Sequence, residues 1–159
     1  MNTDTLILVA DSARARLFRI VKRDAPRAPF ALYESDSLVH PEARIKESER
    51  HSGSFPAGAH SGKGGQGGHT LDDHRGAHEA EERRRFAQAV SESVARSVKE
   101  HGQHAIIALS THAMHSLLSR ELEHKLPRDI PIRSEIGEFS ELTPSELLEE
   151  LERRGALSA

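Results

Sequence analysis

A glycine-rich segment in the middle of the chain carries the residues best suited to chemistry. Residues 61–69 read Ser-Gly-Lys-Gly-Gly-Gln-Gly-Gly-His. Gly64 and Gly65 permit backbone conformations closed to other residues and would let the Gln66 N–H approach a reacting ester with no Cβ in the way. The Gln66 side chain both donates and accepts hydrogen bonds, so it can orient a water, and Lys63 can meet a phosphate. The pattern predicts a hydrolytic loop, or else a linker in which the tripeptide is an accident of composition.

Histidines near this segment raise the question of a metal. His74 and His78 are one helical turn apart, and His69 lies just before them. Imidazole is a common zinc ligand, but no fixed ligand set is evident, and solvated histidines explain the pattern as well. We therefore expect no metal and no other cofactor, and keep these three histidines as weak metal candidates.

A short basic run follows the histidines. Arg83, Arg84 and Arg85 would suit contact with RNA phosphates. Three glutamates precede them within one helical turn, at positions 79, 81 and 82. That spacing favours a solvated helix face held by ion pairs between residues three and four apart.

The composition sets the broad class. The chain has 159 residues, with 36% hydrophobic, 30% charged and no cysteine, which excludes disulfides, thiol catalysis and cysteine-based zinc sites. One domain over residues 1–159 is expected. The formal charge of −3 gives no general attraction to DNA, so we expect no DNA partner. The longest apolar run, Leu6–Ala10, is too short to span a membrane, so we expect a soluble, cytoplasmic protein with no membrane partner.

The first part of the chain predicts three strands. They run from Thr5 to Ala10, from Arg16 to Val21, and from Phe30 to Tyr33 or on to Val39. Short connections between them imply antiparallel pairing. No apolar periodicity follows from about residue 40 to residue 76, and this segment is predicted to be a long flexible loop.

The second part predicts alternating helices and strands. A helix from about Ala77 to His101 precedes a buried strand at 105–109. A second helix capped by Thr111 precedes a strand that starts at Ile130. The capping box Thr143-Pro144-Ser145-Glu146 opens the last helix, and Gly155 stops it.

This order of elements, β-β-β-α-β-α-β-α, predicts an α/β protein. Three antiparallel strands followed by right-handed crossovers give a mixed five-stranded sheet with helices on both faces, as in the ribonuclease-H-like fold. A nuclease of that fold needs acids pointing inward from its first and fourth strands, and neither strand here has one. Asp11, after the first strand, is interpreted as part of a hairpin turn.

Several segments together resemble a known family. The chain is similar to the bacterial host attachment proteins, also described as proteins required for attachment to host cells. It also resembles the middle domain of eukaryotic and archaeal class I release factors, in which a basic Gly-Gly-Gln loop precedes a charged helix. Besides residues 64–66, the matching segments are 9–18 (VADSARARLF), 40–44 (HPEAR), Phe86-Ala87 with its helix, 105–122, and 142–148 (LTPSELL).

The release-factor resemblance implies a function at the ribosome. There, the Gly-Gly-Gln loop promotes hydrolysis of the peptidyl-tRNA ester, which would make Gly64, Gly65 and Gln66 catalytic and would make ribosome and peptidyl-tRNA the partners. Two departures stand out: Gly67 and Gly68 follow the glutamine, and no codon-reading domain is present. Rescue of stalled ribosomes is therefore expected rather than stop-codon decoding.

The alternative is a non-catalytic module that binds ribosome, RNA or protein. Nothing in the sequence fixes the oligomeric state.

Overall fold

The fold is a mixed five-stranded sheet with helices on both faces, as predicted. The computed structural model describes residues 1–40, 42–43 and 69–157. Its strands and helices are β1 (Thr5–Ala10), β2 (Arg14–Lys22), β3 (Phe30–Val39), α1 (His69–His101), β4 (Ala105–Ser110), α2 (His112–Lys125), β5 (Ile132–Ile136) and α3 (Pro144–Arg153). The strand order is β3-β2-β1-β4-β5.

Strand direction divides the sheet into two parts. β1, β4 and β5 run parallel to one another, whereas β2 pairs antiparallel with both β1 and β3. The carboxyl ends of the three parallel strands therefore meet at one edge of the sheet. In open α/β sheets this edge is where ligands bind.

Alternating side chains of β1 pack into two cores. Leu6 and Leu8 lie on the face covered by α1 and α2, while Ile7 and Val9 lie on the face covered by α3. Every residue of β1 is buried, which explains why it reads as a continuous apolar run rather than an alternating one.

The apolar stripes of the helices pack into the two cores. Phe86, Val90, Val94 and Val98 of α1 pack in one core together with α2 residues Met114, Leu118 and Leu122. Leu147 and Leu151 of α3 are fully buried in the second core. Burial of these stripes against the sheet accounts for most of the helix stabilisation, because propensity alone is marginal.

The helix termini differ in how well the sequence predicted them. Thr143 and Glu146 form the expected capping box, and Gly155 follows α3 at φ +63°, which suits glycine. Thr111 is the N-cap of α2, but its side chain makes no capping hydrogen bond.

The start of α1 corrects the sequence prediction. The helix begins at His69, eight residues before the expected Ala77, so the predicted loop over residues 40–76 is too long at its carboxyl end. Residues 74–78 are all exposed, and no apolar stripe marks this part of the helix. A pattern search misses such a segment, because the apolar stripe arises only where a helix packs on a core.

The described residues also bear on the predicted absence of a membrane span. Within them, no helix is both long enough and apolar enough to cross a bilayer.

Candidate functional site

A cavity of about 470 Å³ lies at the carboxyl ends of the parallel strands. Asp11 directly follows β1, Thr111 directly follows β4, and Glu138 comes two residues after β5. The remaining lining comes from the turn after β1, the segment after β3, one side of α1 and the first turn of α2. The lining residues are Asp11, Ser12, Ala13, His40, Ala43, Glu79, Glu82, Arg83, Thr111, Ala113 and Glu138.

The first wall of the cavity is the turn between β1 and β2. Asp11 Oδ1 accepts hydrogen bonds from the backbone N–H groups of Ala13 and Arg14, both at 2.7 Å. The Asp11 backbone N–H also donates to the Arg14 carbonyl. Both the side chain and the backbone of Asp11 therefore stabilise the turn. The interpretation of Asp11 as a turn residue is confirmed, and the same turn holds Ser12 at the cavity.

Two polar atoms in this region are buried without a hydrogen-bond partner among the described residues. They are Thr111 Oγ1 at the start of α2 and His40 Nδ1 at the end of β3. The His40 ring is fixed in place: its backbone N–H donates to the Ala13 carbonyl at 2.7 Å, and its ring lies 5.4 Å from that of Phe86. Buried polar atoms are paired in most proteins, so two unpaired atoms in one cavity call for a water, ion or ligand as partner.

The cavity wall is dominated by negative charge. Its described lining holds four carboxylates, those of Asp11, Glu79, Glu82 and Glu138, against the single guanidinium of Arg83. An isolated phosphate would be repelled from such a wall, whereas a cation would be attracted.

Three side chains, of which one lines the cavity, have the chemistry of metal ligands. One oxygen of Glu42, one oxygen of Glu82 and a ring nitrogen of His78 all lie within 4.8 Å of one another. His78 Nε2 is 2.6 Å from Glu82 Oε1, across one turn of α1. The side chain of Glu82 is only 12% exposed, whereas that of His78 is 68% exposed.

Helix α1 places the three arginines of the basic run in two different environments. Arg84 forms two hydrogen bonds with the Glu81 carboxylate, at 2.9 and 2.6 Å, and Arg85 contacts the same carboxylate at 3.3 Å. The hydrogen bond from Arg84 is the largest effect that lowers the pKa of Glu81, to about 2. Of these three arginines, only Arg83 lines the cavity. The expectation of a paired, solvated face is therefore confirmed for Arg84 and Arg85.

Most of the other predicted site residues lie outside the described part of the chain. Lys63, Gly64, Gly65 and Gln66 are not among the described residues, and only the backbone of His69 is described. His74 is exposed on α1, and it does not belong to the group formed by His78, Glu82 and Glu42.

The residues that the sequence missed come from segments far apart in the chain. Glu42 and Glu82 are forty residues apart, and Thr111 and Glu138 belong to two further segments. The His40-Pro41-Glu42 part of the segment quoted for the family resemblance was the only local signal. Because the fold alone brings these residues together, spacing could not predict the cavity.

The architecture and the cavity define a mixed α/β protein with a candidate site at the carboxyl edge of its sheet. A family model described as "Protein required for attachment to host cells" matches residues 6–151. The chain belongs to this family, which confirms that part of the resemblance. The release-factor part stays a prediction. No curated protein matches the chain in sequence.

Solved structures of similar shape come from Aquifex aeolicus. One is a Ppx/GppA phosphatase, type II variant, at 10% identity and a TM-score of 0.39. Another is a Ppx/GppA family member at 10% identity and a TM-score of 0.41, and a third is a PPX-GPPA enzyme at 11% and 0.41. The matches cover 82% of this chain and 34–35% of those chains, so the chain spans about a third of their length.

Proposed function

We propose that this attachment-family protein hydrolyses the ester of peptidyl-tRNA on stalled ribosomes, through Gly64, Gly65 and Gln66. The single observation that carries the proposal is that the long helix α1 begins three residues after Gln66 and passes through an exposed turn before it reaches the core. The helix is 33 residues long, and among its described side chains, residues 74–101, the first buried ones are Phe86 and Ala87. From His69 to Phe86 a helix rises by about 25 Å.

One exposed turn of α1 lies between the motif and the buried part of the helix. Residues 74–78 are exposed, and a Cβ added to Gly76 would meet no atom within 4 Å. From Glu79 onward the helix borders the cavity at the sheet edge and then the core. The exposed turn buries no surface in the fold and is open to a large partner.

The motif is tied to the start of α1 by chain connectivity. Gln66 precedes His69 by three residues, so covalent geometry keeps it within about 11 Å of the start of α1. In this proposal α1 acts as the arm that presents the motif to the ribosome. A chance Gly-Gly-Gln in a linker has no reason to stand at such a position.

The chemistry that the motif would supply is the hydrolysis of an ester. A water oxygen adds to the ester carbonyl carbon, the bond from that carbon to the ribose oxygen breaks, and the ribose oxygen takes a proton. The Gln66 backbone N–H donates to the oxygen on which negative charge develops, and the Gln66 side chain positions the water. Gly65 keeps the approach free of a Cβ. The proposal places the protein in the cytoplasm, where its substrate is.

The test is release of labelled peptide from peptidyl-tRNA on ribosomes with an empty A site. Gly65→Ala adds a Cβ that keeps the Gln66 N–H from the ester, so it should reduce release by roughly 100-fold, the usual effect of losing a donor to a developing oxyanion. Gln66→Ala keeps the backbone donor, so it should lose only the part of the rate enhancement that depends on placement of the water. Gly68→Ala is the matched control, because it adds the same methyl group outside the tripeptide and should leave release near the wild-type rate.

A second function, a non-catalytic binding module, is favoured by the cavity itself. The cavity lies at the edge of the sheet where α/β proteins bind ligands, and Arg83 turns toward it while its two neighbours pair with Glu81. If this function is the right one, binding of the ribosome, RNA or protein partner survives removal of residues 64–67 and depends on Arg83 and Lys63. Cosedimentation without peptide release would support it.

A further inference from the structure

We infer that Glu42, His78 and Glu82 form a binding site for a divalent transition metal, with zinc as the best fit. The inference does not rest on the Gly-Gly-Gln motif or on ribosome binding. Of the two histidine candidates whose side chains the structure describes, His78 belongs to the site and His74 does not.

The first support is the arrangement of the three donor atoms. The nitrogen of His78 and one oxygen each from Glu42 and Glu82 lie within 4.8 Å of one another, so small rotations of the side chains would bring all three onto one ion. His78 and Glu82 are four residues apart on α1, which places them on one face of the helix. Glu42 comes from a separate segment after β3, so two parts of the fold converge on this point.

The second support is the type of ligand. Zinc in proteins is commonly held by imidazole nitrogen and carboxylate oxygen, and three protein ligands leave a fourth position open. Magnesium and calcium prefer oxygen ligands only, which makes the imidazole of His78 a poor partner for them. A single histidine with two glutamates therefore favours a transition metal.

The third support comes from the adjoining cavity and is independent of the ligand group. Glu82 lines this cavity as well as belonging to the group. The same cavity contains four carboxylates against one guanidinium, a surplus of negative charge that a divalent cation would offset. His40 and Thr111 also line this cavity, and their Nδ1 and Oγ1 atoms are buried without a hydrogen-bond partner among the described residues. Such atoms call for a water, ion or ligand as partner.

The burial of Glu82 distinguishes the site from an ordinary exposed charge pair. With a side chain only 12% exposed, Glu82 has lost most of its contact with water, and a positive neighbour lowers the free-energy cost of that burial. In the structure His78 Nε2 lies 2.6 Å from Glu82 Oε1, so the metal would bind where these two side chains already converge.

The test is equilibrium dialysis of the tag-free, full-length chain against zinc, followed by metal analysis. We expect one zinc ion per chain at the high-affinity site. His78→Ala and Glu82→Gln should each weaken that binding by roughly 100-fold, at least the effect of losing a supporting residue around a metal ligand. Circular dichroism of each variant verifies that the helices are intact.

Two matched controls keep the test specific. His74→Ala removes an exposed histidine one turn earlier on the same helix, and Glu149→Gln removes an exposed carboxylate on α3; both should bind zinc as wild type does. Absence of tight zinc binding by the wild type would overturn the inference. So would tight binding that survives His78→Ala, since other histidines of the chain would then hold the ion. Peptide release plays no part in this readout, so failure of the proposed function leaves the result unaffected.

Discussion

Arg16 on β2 and Glu34 on β3 form a two-pronged ion pair, with Nε–Oε1 at 3.2 Å and Nη2–Oε2 at 3.0 Å. The guanidinium is 8% exposed, and its Nη1 also donates to the carbonyls of Ser140 and Leu142. One side chain thus joins the antiparallel edge of the sheet to the segment that leads into α3. Arg14 reaches the same carboxylate only at 3.9 Å and is 42% exposed.

The two arginines should therefore differ sharply in their effect on stability. Arg16→Ala leaves two carbonyls and a half-buried carboxylate without their donor, and it should lower the free energy of unfolding by about 2–4 kcal/mol. Arg14→Ala breaks a long, solvent-screened contact and should cost less than about 0.5 kcal/mol. Urea unfolding of both variants measures the difference. Equal losses would show that the contacts of Arg16 do not stabilise the fold.

The capping box of α3 gives a second prediction. Thr143→Ala should destabilise the protein by about 1 kcal/mol, because the Thr143 side chain accepts from the Glu146 backbone N–H. Ser145→Ala, two residues later and exposed, is the control and should change little. Thermal unfolding followed by circular dichroism compares the two, and a Ser145 effect as large as that of Thr143 would contradict the capping assignment.

The same box makes the stability of α3 depend on pH. The Thr143 backbone N–H donates to the Glu146 carboxylate and lowers the pKa of that group. A carboxyl group whose pKa is lower in the folded state stabilises that state above its unfolded pKa, and the contribution is lost as pH falls through the folded pKa. Acid unfolding should therefore show less loss in Glu146→Gln, which cannot titrate, than in wild type. Identical acid profiles would count against the contribution of Glu146.

Glu81 on α1 gives a more local prediction about titration. Its pKa of about 2 arises first from the hydrogen bond with Arg84, so Arg84→Ala should raise that pKa toward its ordinary value. Because the lowered pKa favours the folded helix above the unfolded pKa, this contribution is present near neutral pH and disappears only toward pH 2. NMR titration of the carboxyl carbon measures it, with Arg83→Ala as control. A low pKa that persists in Arg84→Ala would contradict the assigned cause.

The role of the exposed turn of α1 in peptide release can be tested through Gly76. Proline in a helix interior costs about 3 kcal/mol, so Gly76→Pro should break the arm and reduce peptide release while the sheet and its cores stay folded. The Cβ added by Gly76→Ala meets no atom within 4 Å, and alanine favours the helix by up to about 1 kcal/mol. This variant should therefore preserve release. Both variants should unfold near the wild-type temperature. Normal release by Gly76→Pro would show that the helical arm is not required.

How far the sequence predicted this structure depends on where the signal lies. The strand Thr5–Ala10 and the box at Thr143 were predictable, because burial on both faces and capping each leave a local pattern. The start of α1 was not, since its described side chains at residues 74–78 are exposed and leave no apolar stripe. The Gly-Gly-Gln motif was evident from sequence alone. The group of Glu42, His78 and Glu82 was not, because only the path of the chain brings these residues together.

The central claim is that the arm of α1 carries a catalytic motif, and the rate of peptide release tests it most directly. Wild-type protein should release labelled peptide from peptidyl-tRNA on empty-A-site ribosomes well above the spontaneous rate. Gly65→Ala should return release close to that rate while still cosedimenting with ribosomes. Wild-type release no faster than spontaneous hydrolysis, with the protein bound to the ribosome, would contradict the claim.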